Sequence, residues 1–261
     1  MARLLIFGPG YTASHIAGAL QAREFVVETI GRATIADERR VADAIAWATH
    51  ILSSVPPEAD ADPVLARYGP QLAACHADWI GYLSSTGVYG DTGGAWVDEG
   101  APVGTGRRTA RAAADAMWQA LHPAVRVFRL PGIYGPGRSP LDRVRAGQAH
   151  RIDLPGQVFS RVHVDDIAGG VIASIDRGPA GVFNLADDRP ASQNRVIEAA
   201  CELLGIAPPP LVPLEEAGLS PAARAFYAEN RRVANGKAKR LLGWAPRYPD
   251  YRAGLRALLG K

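Results

Sequence analysis

An apolar pentapeptide, Arg3-Leu4-Leu5-Ile6-Phe7, runs directly into Gly8-Pro9-Gly10-Tyr11-Thr12-Ala13. A continuous apolar run of this kind suits a parallel strand buried on both faces. The hexapeptide after it fits G-x-G-x-x-(G/A), and Ala13, Ile16, Ala17 and Leu20 then recur at helical spacing. Strand, glycine turn and helix in that order form a cradle for a dinucleotide. Gly8 permits the tight turn, Gly10 lets a pyrophosphate approach the backbone, and Ala13 lets helix and strand pack closely. The helix start, at Tyr11 and Thr12, offers free N–H groups and the positive end of its dipole to the phosphates.

The pattern then repeats. Residues 25–30 read as a strand, 37–48 as a helix, 50–55 as a strand ending at Pro56-Pro57, 64–77 as a helix and 79–83 as a strand. After a loop rich in Gly and Asp, 107–121 reads as a helix and 125–130 as a strand. Such alternation predicts an α/β fold with a doubly wound parallel sheet and right-handed crossovers. The second half is less regular, and Pro-rich 207–213 reads as a connector. The expected organisation is a dinucleotide-binding domain over residues 1–137 and a smaller C-terminal α/β substrate lobe over 138–261, interleaved because 162–186 returns to the sheet. One stretch departs from the pattern: 33–50 has room for little more than one helix, where this kind of sheet takes a helix, a strand and a helix.

The end of the second strand bears on the choice of cofactor. An NAD site sets an acid about 20 residues beyond the glycines, to hold the ribose 2′-hydroxyl. Gly31-Arg32 occupies that place, and Glu28 lies earlier, within the strand. An arginine there can pair with a 2′-phosphate, so NADP(H) is expected over NAD(H).

Other function classes find little support. Cys75 and Cys201 are far apart and lack metal-ligand spacing, so they read as incidental thiols in a reducing compartment, with no metal site. The basic clusters at Arg107-Arg108, Arg231-Arg232 and Lys237–Arg240 come without groove-reading or aromatic motifs, so no nucleic acid is expected. No apolar run reaches the ~18 residues of a membrane span, and no secretory segment is evident. A cytoplasmic protein acting on a small molecule is the expectation.

Several motifs together resemble the extended short-chain dehydrogenase/reductase superfamily, the NAD-dependent epimerase/dehydratase group. They are the glycine turn, Ser84-Ser85-Thr86-Gly87-Val88-Tyr89-Gly90, Arg129-Leu130-Pro131-Gly132-Ile133-Tyr134-Gly135-Pro136-Gly137, Val162-His163-Val164-Asp165-Asp166, Phe183-Asn184-Leu185 and Leu242-Gly243-Trp244-Ala245-Pro246. The resemblance spans nearly the whole chain and looks closest to an atypical branch of the superfamily. It implies a Rossmann fold and an NAD(P)-dependent oxidoreductase or epimerase-like activity on a polar carbonyl or sugar-type substrate. It maps the catalytic serine onto Ser85, cofactor-lining residues onto Ser53, Ser54 and Val55, and residues near the nicotinamide onto Pro131 and Gly132. It makes His163 structural. Extended members commonly dimerise through helices flanking the active site, and the Ala-rich 109–120 helix is compatible with a homodimer.

One family feature is missing. Proton transfer in the superfamily belongs to the tyrosine of a YxxxK helix. Anchored on Asp115, the lysine position holds Arg111 and the tyrosine position Arg107; no tyrosine lies between Tyr89 and Tyr134. Arginine stays protonated and cannot accept a proton near neutral pH. Arg111 can serve as a ribose-binding cation, and Arg107 can polarise a carbonyl or grip an anion. Two readings stand: an NADP(H)-dependent enzyme with Ser85, Arg107 and Arg111 at its active site, or a catalytically weak or inactive NADP(H)-binding sensor. Within the lobe, Arg138, Arg161, Tyr227 and Asn230 are polar candidates whose expected roles are mainly structural.

Overall fold

A computed structural model describes residues 1–58, 61–106 and 109–260. Arg107 therefore lies outside the described residues, as does Arg108.

The first half alternates β1 (Arg3–Phe7), α1 (Tyr11–Gln21), β2 (Val26–Ile30), α2 (Glu38–Trp47), β3 (His50–Ser53), α3 (Pro63–Ala73) and β4 (Trp79–Ser85). A single 3-10 turn, Thr86–Tyr89, follows, then β5 (Trp96–Val97), α4 (Thr109–Leu121), β6 (Val125–Leu130) and β7 (Gly132–Tyr134). The remainder comprises α5 (Pro140–Arg145), β8 (Arg151–Ile152), β9 (Arg161–His163), α6 (Val164–Arg177), β10 (Gly181–Asn184), α7 (Gln193–Leu204), β11 (Leu211–Val212), α8 (Pro221–Arg224), β12 (Arg232–Val233), α9 (Gly236–Leu242) and α10 (Tyr251–Leu258). α3 stops four residues short of the predicted end, one turn after Pro70, which removes an amide from the helix interior.

A six-stranded sheet in the order β10-β6-β4-β3-β1-β2 forms the centre, and its pairs are parallel. Both faces are covered, which explains why its strands are apolar throughout rather than alternating. On one face α2, α3 and α4 pack Val41, Ile45, Leu65, Tyr68 and Trp118 onto Leu5, Phe7, Ile51, Ile80 and Val127. On the other, α1, α6 and α9 pack Ile16, Leu20, Ile167, Val171 and Leu242 onto Leu4, Ile6, Leu52, Phe128 and Phe183. A separate cluster built from α5, α7 and α10 carries the C-terminal helices.

The short 33–50 stretch now has a physical meaning. The usual order has a strand outside the second one, whereas here β2 is the sheet edge. α2 shares its face with α3 and α4, opposite α1, so it is the crossover helix to β3. The helix and strand that normally precede such a crossover are what this chain does without.

Candidate functional site

The chain leaves β1 for β2 on one side and crosses to β3 on the other, so the connections diverge between β1 and β3. Ligands bind in the crevice at the carboxyl ends of strands at such a point. Here the crevice is a cavity of about 430 Å³ lined by Gly10, Tyr11, Thr12, Ser54, Pro56, Leu83, Ser84, Ser85, Arg111, Leu130, Pro131, Ile133 and Arg138.

Its floor is the glycine turn. Gly8 has φ +78°, and a Cβ built there would lie 2.8 Å from Val55 Cγ2. Ser54 Oγ donates to the Gly8 carbonyl at 2.6 Å, locking the β3 end against the turn. A Cβ at Gly10 would meet nothing within 4 Å, so that backbone is open to the cavity. No side chain caps α1, although Asp37, Asp62, Ser139, Ser192 and Asp250 cap α2, α3, α5, α7 and α10. An uncapped helix start at the mouth of a cavity leaves amide donors and positive dipole unspent, which fits a pyrophosphate.

One wall is the end of β4. Ser84 Oγ is 2.6 Å from Asp115 Oδ2, and a carboxylate can only accept, so the Ser84 proton is committed to Asp115. Ser85 Oγ instead accepts from the Gly87 amide at 3.1 Å, leaving its own proton available to a ligand oxygen. Adjacent hydroxyls on this wall thus have opposite polarity: Ser84 can accept, Ser85 can donate.

α4 supplies the second wall and is held firmly. Trp118 stacks on Tyr82 with ring centroids 5.1 Å apart and donates to Asp62 Oδ2 at 2.8 Å. Asp115 forms a buried pair with Arg129, which also donates to Tyr89 Oη at 3.0 Å; Tyr89 donates in turn to Asn184 Oδ1 at 2.8 Å. These bonds fasten the Ser85 turn, α4, β6 and β10 to one another. Arg111 reaches the cavity, and among the described residues its hydrogen-bond partner is Tyr82 Oη, 3.5 Å from Nη1. Burial pushes the Tyr82 phenol up to about 12, with Arg111 opposing the shift. Tyr82 is fully buried and does not line the cavity, so it is no replacement for the absent helix tyrosine.

The third wall follows β6. Tyr11 donates to the Pro136 carbonyl at 3.1 Å, and the Arg138 guanidinium lies 5.6 Å from the Tyr11 ring centroid. Burial raises the Tyr11 phenol, and Arg138 works against that.

The cavity therefore joins Gly10, Tyr11, Thr12, Ser54, Ser85, Arg111 and Pro131. Gly8 and Val55 touch each other but are not part of the lining, Ser53 is fully buried, and Gly132 is exposed on β7 between the lining residues Pro131 and Ile133. Arg32 is exposed in the turn after β2, outside the lining as well. Of the lobe candidates, Arg138 reaches the cavity. Arg161 is buried and donates to the carbonyls of Phe159 and Ala191. Asn230 ties the Val158 amide to the Gly156 carbonyl, and Tyr227 packs edge-on against Phe159. His163 caps α6 by accepting from the Asp165 amide. Sequence reasoning missed Ser84 and the role of Arg129. An arginine inside the strand Val125–Leu130 was the available signal, since a buried cation requires a buried anion.

A functionally unknown conserved protein from Silicibacter pomeroyi DSS is 43% identical, covers 100% of this chain with 99% of its own, and superposes with a TM-score of 0.90. The two belong to one family. The fold they share is that of the extended short-chain dehydrogenase/reductases. Human epimerase family protein SDR39U1 (isoform 2), solved with NADPH, superposes with a TM-score of 0.79 at 16% identity over 99% of each chain. The dTDP-glucose 4,6-dehydratase of Bacillus anthracis str. Ames, solved with NAD, gives 0.76 at 17% identity over 100% of this chain and 96% of that one. Among curated proteins, a 3-diazoavenalumate denitrifying reductase from a Streptomyces species is 31% identical over 140 residues, 49% of this chain and 45% of that protein. The matched stretches span about half the length of the curated relatives, 45% and 58%. No family model matches the chain. Among the described residues no helix is long and apolar enough to cross a membrane, and no cluster of metal-ligating side chains occurs.

Proposed function

We propose that this family member is an NADP(H)-dependent oxidoreductase, or an epimerase-like enzyme, acting on a polar carbonyl or sugar-type substrate. The observation that carries the reading is the shared cavity: the uncapped start of α1 and the free proton of Ser85 open onto one space. The residues fit a nicotinamide dinucleotide. Gly10, Tyr11 and Thr12 would hold its pyrophosphate, with Ser54 and Pro131 along its length. Similar folds hold NADPH in one case and NAD in another, so the choice of NADP(H) rests on Arg32. That side chain is exposed and has no ion-pair partner among the described residues, which suits a 2′-phosphate. When bound, the cofactor supplies or takes a hydride.

Ser85 donates to the substrate oxygen, polarising a carbonyl where negative charge develops. Arg111, fixed by α4, adds a cation on the opposite wall. The proton that completes a reduction comes from water or from an acid other than these, because neither arginine nor a serine this weakly acidic exchanges one near neutral pH.

A second reading has its own support. α4 carries no phenol along Thr109–Leu121, so the chain could bind NADP(H) without turnover and report cofactor state to a partner.

The test is cofactor binding followed by single turnover. NADPH is expected to bind more tightly than NADH, and Arg32→Ala to abolish the difference. Bound NADPH is then expected to oxidise with a member of a carbonyl panel. Equal affinities unaffected by Arg32→Ala would overturn the NADP(H) assignment. Tight NADPH binding with no turnover, unrestored by Arg107→Tyr combined with Arg111→Lys, would leave the sensor.

A further inference from the structure

Resting on the oxidoreductase reading above, we infer that this cavity selects an acidic substrate, whose carboxylate or phosphate is held between Arg111 and Arg138 beside Ser85. The titratable side chains on its lining are Tyr11, Arg111 and Arg138, with no carboxylate among them. Neither arginine has an ion-pair partner among the described residues. Arg111 has the neutral Tyr82 hydroxyl at 3.5 Å, and Arg138 lies against the Tyr11 ring.

Arg32 shares this lack of a partner but lies outside the cavity lining, whereas three other arginines are neutralised. Arg129 is paired with Asp115, Arg151 with Glu198, and Arg231 with Glu229. Asp142 and Asp165 lie near enough to act on Tyr11 but outside the lining, so two guanidiniums share the concave space itself with no carboxylate on its wall, which raises its potential and draws in an anion. Their planar forks match the oxygens of a carboxylate or phosphate. Ser85 donates from the adjoining wall, so an oxyanion and a carbonyl oxygen on one small molecule can be held together. Ser84, whose lone pairs remain free, accepts from a hydroxyl on the same ligand.

The competing anion is the cofactor's own pyrophosphate, which Gly10, Tyr11 and Thr12 would hold at the α1 start, and Arg138 lies against Tyr11. The test separates the two. Protein saturated with NADP⁺ is titrated calorimetrically with oxalate and, separately, with inorganic phosphate, in the wild type and in Arg111→Gln, Arg138→Gln and Arg111→Lys. At least one anion is expected to bind the wild-type complex, which also tells carboxylate from phosphate. Each glutamine variant should weaken that binding about ten-fold or more, Arg111→Lys should recover part of it, and Arg138→Gln should leave NADP⁺ affinity unchanged. Binding of neither anion to the NADP⁺ complex would overturn the proposal alone. So would an Arg138→Gln variant that loosens NADP⁺ as much as the anion, since Arg138 would then serve the pyrophosphate. Failure of the wild type to bind NADP⁺ at all would overturn the cofactor reading and this proposal together.

Discussion

Asp115 and Arg129 meet in a two-pronged ion pair, Nη2 to Oδ1 at 2.8 Å and Nε to Oδ2 at 3.1 Å, with side chains 1% and 3% exposed. Removing one partner strands the other charge away from water, at a cost of about 3–5 kcal/mol. Asp115→Ala and Arg129→Ala are each expected to lose stability on that scale in urea unfolding. The double variant should lose less than the sum of the two. A strictly additive result would mean that the pair is not coupled.

The adjacent serines should separate in their effects. Ser85→Ala is expected to lower kcat/KM for carbonyl reduction by about 10²-fold while NADPH affinity stays at the wild-type value. Ser84→Ala removes a hydrogen bond from Asp115 and should cost about 1–3 kcal/mol of stability. Steady-state kinetics and denaturation on both variants check this; equal kinetic losses would contradict the opposite polarities assigned to the two hydroxyls.

Gly8→Ala combines a left-handed backbone at φ +78° with a Cβ 2.8 Å from Val55 Cγ2. The backbone alone costs roughly 1–2 kcal/mol. Moving Val55 also disturbs the Ser54 bond to the Gly8 carbonyl. A lower Tm and weaker NADPH binding are expected together, read by calorimetry and fluorescence titration. Wild-type cofactor affinity in a folded Gly8→Ala protein would contradict the placement of the pyrophosphate.

Burial pushes the Asp187 carboxyl up to about 8, against the opposing influence of the Arg189 amide and the Arg161 charge. In the unfolded chain it ionises near 3.9. Between those values the folded state holds the extra proton, so this residue makes stability fall as pH rises from about 4 to about 8 and level off above. Asp187→Asn should flatten that part of the stability–pH curve. Denaturation midpoints across the range check it; an unchanged slope would mean that Asp187 is ionised throughout.

Much of the sheet was legible in the sequence because apolar runs and glycine turns are local signals. Leu4–Phe7 and Ile80–Leu83 announce buried strands without reference to anything else. The place of Gly10 on the cavity lining follows from the same signals, whereas Ser54, Ser85 and Pro131 are expected there from the family resemblance; all four lie at or just beyond strand ends or in the glycine turn. What stayed hidden depends on pairs distant in sequence. Asp115 and Arg129 come from a helix and a strand, and their union shows only once α4 lies on β6. That Arg138 has no ion-pair partner among the described residues is likewise a fact of space. Spacing could reveal that 33–50 was too short, but only the packed faces reveal which helix was kept.

That economy exposes a seam. With no strand outside β2 among the described residues, its outer amides and carbonyls are a template on which another chain could add a strand. The strand is five residues long and carries Glu28, which pairs at 3.7 Å with Arg40 of α2. A charge set in the middle of so short a ribbon works as a gatekeeper against aggregation. The glutamate that looks superfluous to cofactor choice thus guards the colloidal safety of a pared-down fold.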